Sequence, residues 1–319
     1  MDQMPFQLTI LGSSSATPTS KRYPTAQVLN VLGRFFLIDC GEGTQHQIRK
    51  NNISLLKINN IFISHLHGDH FFGLIGIIAT MGLMGKKTDL HIYAHSELQK
   101  YTTSQLKYLK MDDMGYQLIF HPLNFKKPQT IFEDKKLKVT SFPLHHRIDC
   151  CGFRFDEQPR EPNIIKEQID RYNIPIRSIK DIKAGENFIT KTGEIIPNSK
   201  LVREQIKPRS YAFCSDTCYF EKVVEQIKKV DLLYHEATFA EAEKELAKKT
   251  FHSTAKQAAK IASLAKAKKL LIGHFSARYN VTKILQNEAR TIFRNSFAVK
   301  ENKTYSVKQK NKFKNQNKK

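Results

Sequence analysis

The sequence predicts an α/β protein, and three observations support that prediction. Short apolar runs alternate with stretches of helical spacing along most of the 319 residues. Histidines and acidic residues recur directly after the apolar runs, where rigid scaffolds place reactive groups. A densely charged segment interrupts the alternation once, between about residues 157 and 207. We therefore expect a strand–helix scaffold that carries an insertion.

The composition is that of a globular and strongly basic protein. Hydrophobic residues make up 40% of the chain and include 21 phenylalanines, enough for a sizeable core. The net charge of +22 attracts polyanions, which favours a nucleic-acid partner. The longest apolar run, 71–84, is short for a bilayer span and contains three glycines, so we expect no membrane association.

The cysteines and the first residues favour a cytoplasmic location. Five cysteines show neither a zinc-ribbon spacing nor an even-numbered disulfide framework, so we expect free thiols in a reducing compartment. Residues 1–11 contain neither a basic region nor a cleavage signal, which argues against secretion.

Before the insertion, apolar runs bounded by glycine and polar residues predict strands, and amphipathic spacing predicts helices. The predicted strands are 7–12, 26–32, 34–39, 61–63, 90–93, 118–121, 137–142 and 152–155. The predicted helices are 44–50, 73–84 and 96–109. Gly33 is expected to turn the second and third strands into a hairpin, and Ser96 to cap the third helix.

After the insertion the same patterns predict three strands and three helices. The strands are 210–214, 231–234 and 269–272, and the helices are 219–229, 240–249 and 255–266. Residues 252–254 are His-Ser-Thr and are expected to cap the last helix.

Two segments are expected to lie outside the core. The insertion has ten Lys or Arg against eight Asp or Glu, and we expect a projecting arm too short to build its own core. Residues 300–319 contain eight lysines and one glutamate, which predicts a flexible tail that either solubilises the protein or contacts nucleic acid weakly. The expected organisation is a core in two parts, 1–156 and 208–299, with an arm, 157–207, and a basic tail, 300–319.

The most informative stretch is 61–70, Ile-Phe-Ile-Ser-His-Leu-His-Gly-Asp-His, a buried strand that ends in four potential metal ligands. His65 and His67 stand two apart, so an extended backbone points both rings to one side. The glycine that follows lets Asp69 and His70 turn toward a second point. Four such donors suit two ions roughly 3.5–4 Å apart, zinc first, with manganese or iron as alternatives. The competing interpretation is a histidine-rich surface turn.

Other residues of ligand type also follow predicted strands. They are His145, His146, Asp216, His235, Glu236 and His274. Spacing alone does not decide between His145 and His146. Asp39 either hydrogen-bonds to a ligand histidine and so orients its ring, or caps the helix that follows it.

These residues resemble the metallo-β-lactamase superfamily and, within it, the ribonuclease Z family of tRNA 3′-processing endonucleases. The H-x-H-x-D-H motif at 65–70 is typical of the superfamily. The family is indicated by D-C-G-E-G-T-Q at 39–45, P-L-x-H at 143–146, S-D-T at 215–217, H-E-A-T at 235–238, H-S-T at 252–254 and H-F-S-A-R-Y at 274–279. The resemblance implies an αβ/βα sandwich of two mixed β-sheets flanked by helices.

The resemblance also implies two zinc ions per subunit, with manganese or iron as alternatives. The implied ligands are His65, His67 and His146 for the first ion, Asp69, His70 and His274 for the second, and Asp216 as the bridge. A shared carboxylate is suitable because its two oxygens can span two cations.

The implied activity is removal of the 3′ trailer from tRNA precursors by metal-hydroxide attack on the phosphodiester, leaving a 3′-hydroxyl. Asp69 would orient the nucleophile and act as base. His252 would protonate the leaving oxygen, with Glu236 orienting its ring and raising its pKa, unless His252 is only a neighbour of the helix cap. Ser276 and Arg278 are expected to hold substrate phosphates.

The family further implies a homodimer and an arm that binds tRNA. Two other functions fit the residues less well. One is a phosphodiesterase for small molecules or another nucleic acid, built on the same metal centre. The other is a basic RNA-binding module without catalysis, in which the ligand-type residues would bind no metal.

Overall fold

A computed structural model describes residues 4–111, 113–203 and 207–307. The chain divides into two compact units. The larger unit contains Lys138–Asp156 and the described parts of Met1–Glu133 and Arg209–Lys308. The smaller unit contains Asp134–Leu137 and the described part of Glu157–Pro208.

A seven-stranded mixed sheet forms one half of the larger unit. Its strands in spatial order are β16 (Thr304–Ser306), β1 (Phe6–Gly12), β2 (Ala26–Val31), β3 (Arg34–Cys40), β4 (Ile58–Phe62), β5 (Leu90–Ala94) and β6 (Leu118–Pro122). Pairs from β16 to β3 are antiparallel, and pairs from β3 to β6 are parallel.

A second seven-stranded sheet is also mixed. Its spatial order is β15 (Ser296–Ala298), β14 (Leu270–Gly273), β13 (Leu232–Glu236), β12 (Ser210–Cys214), β9 (Cys151–Glu157), β8 (Leu137–Pro143) and β7 (Gln129–Glu133). The strands from β15 to β12 are parallel, whereas β12 pairs with β9, and β8 with β7, in antiparallel fashion. The predicted α/β class with two mixed sheets is confirmed.

The larger unit also contains helices. They are α1 (Thr44–Lys50), α2 (Gly68–Phe71), α3 (Leu74–Leu83), α4 (Glu97–Tyr108), α8 (Lys244–Thr250), α9 (Ala255–Leu264) and α10 (Lys283–Ile292). On α3, Leu74, Ile77, Ile78 and Met81 recur at helical spacing and are buried against the first sheet. Among the described residues, no helix has the length and apolar character needed to cross a membrane.

Two local predictions about helices are wrong. Only Glu221–Glu225 of the predicted helix 219–229 is helical, as a short 3-10 turn, because Phe220 is extended on one side and Lys229 has a left-handed φ of 58° on the other. Ser96 has helical backbone angles and its side chain makes no cap. The backbone N–H of Glu97 instead donates to Nδ1 of His95, at 3.2 Å.

Aromatic side chains fill the space between the two large sheets. The ring of Phe62 on β4 lies 5.5 Å from that of Phe153 and 5.4 Å from that of Phe155, both on β9. Phe36 on β3 lies 6.2 Å from Phe155. Such rings bury large apolar areas and favour tilted, edge-on contacts. Phe36, Phe62, Phe153 and Phe155 therefore contribute to the core between the two sheets.

The smaller unit has a hydrophobic cluster of its own. It consists of helices α5 (Lys166–Arg171), α6 (Ile176–Ala184) and α7 (Asn198–Leu201) with a hairpin of β10 (Phe188–Ile189) and β11 (Ile195–Ile196). Ile174, Ile182, Ile196 and Leu201 are buried together. The prediction that this segment builds no core is wrong, because apolar residues that are isolated in sequence converge in space.

The predicted tail is also wrong over residues 300–307. Thr304–Ser306 is the edge strand β16, and Glu301 accepts hydrogen bonds from the loop that follows β1. The rest of the predicted tail, 308–319, lies outside the described residues.

Candidate metal centre and active site

The loops that follow four strands bring the ligand-type residues together. His65 to His70 follow β4, His146 follows β8, Asp216 follows β12 and His274 follows β14. Strands β12, β13 and β14 are parallel and in register near these ends. Because carboxyl ends of parallel strands meet at one edge, distant parts of the sequence meet there.

The first group of donors is His65, His67, His146 and Asp216. Nε2 of His65 lies 3.0 Å from Nδ1 of His67, which lies 3.2 Å from Nε2 of His146. Oδ2 of Asp216 lies 3.5 Å from Nε2 of His65 and 3.7 Å from Nε2 of His146. Burial lowers the pKa of all three histidines, that of His65 to about 3, which favours the neutral imidazole that binds metals.

The second group of donors is Asp69, His70 and His274. Nε2 of His70 lies 3.4 Å from Oδ2 of Asp69 and 3.3 Å from Oδ1 of Asp216. Nε2 of His274 lies 3.7 Å from Oδ2 of Asp69 and 3.1 Å from Oδ1 of Asp216. The two oxygens of Asp216 therefore face different groups of donors.

These separations fit the donor set of a metal ion. Ligands about 2.0–2.1 Å from a tetrahedral zinc are roughly 3.4 Å apart, close to the distances found in both groups. Nε2 of His70 and Nε2 of His274 are buried without a hydrogen-bond partner. Buried polar atoms normally have a partner, so two unpartnered nitrogens that face carboxylates indicate a cation site.

Hydrogen bonds on the outer side fix the orientation of the histidines. Nδ1 of His70 donates to Asp39 at 2.7 Å, and Nδ1 of His65 lies 3.0 Å from Oγ of Ser64, which itself donates to Asp39. Nδ1 of His146 donates to the carbonyl of Phe251 at 3.0 Å. With Nδ1 bonded outward, Nε2 of each ring is left with its lone pair directed inward.

Asp39 thus orients histidines, and its alternative role as a helix cap is wrong. The helix α1 begins at Thr44 after Gly43, and no side chain caps it. The carboxylate of Asp39 instead accepts the backbone N–H of Ser64 at 2.8 Å.

A buried carboxylate connects the cluster to His252. Glu236 accepts a hydrogen bond from Nδ1 of His252 at 2.8 Å and another from Oγ1 of Thr238 at 2.7 Å. Oγ1 of Thr238 lies 3.0 Å from Nδ1 of His274. Burial by itself would lower the pKa of His252, but the Glu236 carboxylate outweighs it and raises that pKa to about 9. His252 is therefore held as a protonated imidazole.

Three residues at these strand ends have left-handed backbone conformations. The φ angles are 54° at Asp39, 53° at Asp216 and 58° at His274. Non-glycine residues rarely adopt these angles, and such strain persists where the surrounding structure compensates for it. Here it directs the side chains toward the cluster as the strands end.

The cluster opens into a cleft of about 550 Å³. His67, Asp69, His146, Asp216 and His252 all line it. The volume lies within the range of ligand sites, so the ligand-type residues are accessible to a substrate.

Several known proteins are similar to this chain in sequence or in structure. Residues 6–158 match a family model described as anti-Pycsar protein Apyc1. The chain is 46% identical over 302 residues to the ribonuclease Z of Bacteroides thetaiotaomicron, which covers 95% of each of the two chains. The chain belongs to the ribonuclease Z family. The crystal structure of the short form of human tRNase Z aligns with a TM-score of 0.69 and 26% identity, over 95% of this chain and 99% of that one.

A ribonuclease Z family member is expected to have the metallo-β-lactamase fold, and this expectation is confirmed. The metallo-β-lactamase fold protein YhfI from Bacillus subtilis aligns with a TM-score of 0.66 over 95% of this chain and 99% of that one. At 17% identity this similarity concerns the fold alone.

Some residues that the sequence suggested as candidates for the site lie outside the cluster of metal-ligand candidates. The ring of His145 points to Phe220 and Phe251, away from the metal ligand candidates. His235 is buried, and its Nδ1 donates to the carbonyl of Glu236 at 2.7 Å. Ser276 and Arg278 are not among the residues that line the cleft. Nε of Arg278 donates to Oγ of Ser276 at 3.2 Å, and Arg278 is exposed.

The sequence did not reveal several residues of the cleft. The backbone N–H of Ala16, in the loop between β1 and β2, donates to Oδ2 of Asp69 at 2.8 Å. Phe72 and Arg147 line the cleft beside the ligand motifs. Phe72 stands two residues after His70 and Arg147 directly follows His146, and this closeness in sequence could have indicated that both residues line the cleft.

Proposed function

We propose that this chain is a zinc-dependent endoribonuclease that removes the 3′ trailer from tRNA precursors and leaves a 3′-hydroxyl on the tRNA. The observation that carries this proposal is a pair of donor groups that share Asp216, in a chain 46% identical to a ribonuclease Z over 95% of its length. The net charge of +22 suits a polyanionic substrate.

The proposed metal site holds two ions. One would be held by His65, His67 and His146 and the other by Asp69, His70 and His274, with Asp216 shared between them. Six nitrogen and oxygen donors around a shared carboxylate suit zinc best, with manganese or iron as alternatives. Bound ions of this kind lower the pKa of a water molecule and stabilise charge on phosphoryl oxygens.

Asp69 is proposed to orient the attacking water and to accept its proton. Its carboxylate lines the cleft and is held by the N–H of Ala16, so its position does not depend on substrate. Burial by itself would raise the pKa of Asp69, but its contacts with His70 and His274 outweigh burial and lower that pKa, which keeps the carboxylate ionised.

His252 is proposed to protonate the leaving oxygen. The oxygen of the attacking water bonds to phosphorus as the P–O3′ bond breaks, so the trailer keeps the phosphate, and the tRNA 3′-oxygen takes a proton from His252. The Glu236 contact supports this role because it orients the ring and keeps it protonated. We further propose that Ser276 and Arg278 contact substrate phosphates, as an exposed guanidinium can.

The assembly and location are also proposals. We propose a cytoplasmic homodimer, and an arm, 157–207, that binds tRNA. The arm carries a small excess of positive charge and a hydrophobic cluster of its own.

The decisive experiment is cleavage of a trailer-bearing tRNA precursor by purified protein supplied with Zn²⁺ or Mn²⁺. We expect cleavage by the wild type, leaving a 3′-hydroxyl, and none by His65→Ala. A wild type that leaves the trailer uncut and behaves like His65→Ala would disprove the proposal.

A further inference from the structure

An exposed aromatic ring stands in the cleft directly after the metal-ligand motif. Phe72 follows α2 two residues after His70, lines the cleft and is 60% exposed. Its ring lies on the backbone of Gly68, where a Cβ would come within 2.2 Å of a ring carbon. Phe71 contacts the same ring edge-on, with centroids 4.9 Å apart. The ring is therefore held in place while much of its surface stays open.

An exposed cation lines the same cleft. Arg147 directly follows His146 and lines the cleft, and its charge acts on His67. Within the ranges that the structure describes, no carboxylate forms an ion pair with Arg147. An unpaired guanidinium beside a site that handles phosphodiesters is suited to bind a phosphate with two parallel hydrogen bonds.

We propose that Phe72 and Arg147 form a nucleotide subsite, in which Phe72 stacks on a base next to the scissile bond and Arg147 binds a neighbouring phosphate. The inference rests on the proposed function. Stacking suits an enzyme that meets different precursors, because every base has a π-face and the contact tolerates sequence. The two residues position the substrate, while the chemistry stays with the cluster and His252.

The test combines enzyme variants with substrates that lack one base. Three precursors are compared: an unmodified one, and two with a single abasic nucleotide on either side of the scissile phosphate. Methyl p-nitrophenyl phosphate, which has no base, reports on the metal centre alone. The variants are Phe72→Ala with Phe72→Tyr as its conservative partner, and Arg147→Ala with Arg147→Lys.

Phe72→Ala is expected to lower kcat/KM on the unmodified precursor roughly tenfold or more, the loss typical of one base–aromatic stack. Phe72→Tyr keeps the wild-type rate. On one of the abasic precursors the wild type and Phe72→Ala become equal, because the stacking partner is already missing. Arg147→Ala raises KM on all three precursors alike, with partial rescue by Arg147→Lys, and at both positions the loss on methyl p-nitrophenyl phosphate is much smaller than the loss on the precursors.

Several results would overturn the inference. One is a Phe72→Ala defect of the same size on all three precursors. Another is a parallel loss on methyl p-nitrophenyl phosphate, which would mean a damaged metal centre. A third is a changed oligomeric state of Phe72→Ala in solution, which would make the ring a contact between copies of the chain. A wild type that cleaves no precursor would instead overturn the proposed function, and the inference with it.

Discussion

At the scale of single residues, the role of His252 makes a prediction about leaving groups. A 3′-hydroxyl is a poor leaving group and needs a proton, whereas p-nitrophenolate leaves as a stable anion. His252→Ala should therefore slow precursor cleavage by about 10²–10⁴-fold, the usual contribution of a general acid. Hydrolysis of bis(p-nitrophenyl) phosphate should fall much less. Single-turnover rates on both substrates measure the difference.

The matched control is His46→Ala, because His46 is an exposed histidine on α1. Both rates should stay at the wild-type value in this variant. If His252→Ala slowed both substrates equally, His252 would act on the metal centre or on folding, and the assignment as proton donor would be wrong.

Asp39 makes a separate prediction about metal affinity. Asn at this position can still accept the Ser64 N–H, but it brings no negative charge to His70. We expect Asp39→Asn to weaken Zn²⁺ or Mn²⁺ binding roughly 10–100-fold, measured by competition with a chelator.

Asp231→Asn is the control for this substitution. Asp231 accepts the N–H of Ser210 at 2.8 Å and its hydroxyl at 3.1 Å, much as Asp39 does with Ser64, but it lies outside the cluster. Equal metal affinity in the two variants would show that Asp39 only accepts the backbone N–H of Ser64 and does not contribute to metal binding.

Much of the candidate site could be predicted from residue types. The parts that could not be predicted depend on backbone geometry. His65, His67, Asp69 and His70 could be recognised because four donors share one strand end. Choosing His146 over His145 required the family resemblance, since the choice depends on which way a loop turns. The N–H of Ala16 could not be recognised, because every non-proline residue has one and only the fold aims it at Asp69.

At the scale of elements, the segment before β16 anchors a loop of the active site. Oε1 of Glu301 accepts the N–H of Ser13 at 3.0 Å, its hydroxyl at 3.0 Å and the N–H of Tyr23 at 2.9 Å. The same loop contains Ala16, whose N–H holds Asp69. Residues near the carboxyl end of the described chain thus support the candidate base.

Glu301→Ala should therefore reduce both stability and metal affinity. The hydroxyl of Ser13 and the N–H of Tyr23 would lose their acceptor, whereas the N–H of Ser13 keeps the carbonyl of Tyr23, so the free energy of unfolding should fall by about 1–3 kcal/mol. Glu301→Gln should lose less, because its amide oxygen can still accept both N–H groups. Denaturant unfolding and chelator competition measure the two effects, and a Gln variant as damaged as the Ala variant would contradict this explanation.

Strands and helices could be predicted where the spacing of apolar residues within one segment is typical of that element. Continuous apolar runs such as Ser210–Cys214 predicted strands to the residue. The edge strands β7, β15 and β16 were missed because their apolar pattern is weak, and β15 and β16 have only three residues each, so pairing with a neighbour stabilises them. The cluster of the arm was missed for a related reason, since its isoleucines come from separate short elements.

At the scale of the whole molecule, charge and substrate size distinguish the candidate functions. A phosphodiesterase for small molecules needs only the cleft, whereas a tRNA precursor extends far beyond a volume of about 550 Å³. Most of the net charge of +22 lies outside the arm, which has ten basic against eight acidic residues. The arm is therefore expected to contribute specific contacts more than general attraction.

Removing the arm tests this distinction with little risk to the core. Asp156 on β9 and Ser210 on β12 are paired partners, so a short glycine-containing turn can replace residues 157–207. The buried apolar residues of the arm form a cluster of their own, and the deletion removes no candidate ligand. Hydrolysis of bis(p-nitrophenyl) phosphate and metal binding should stay unchanged, while precursor cleavage is lost. Precursor cleavage that survived the deletion would mean that the core alone recognises tRNA, and loss of both activities would mean that the arm is needed for folding.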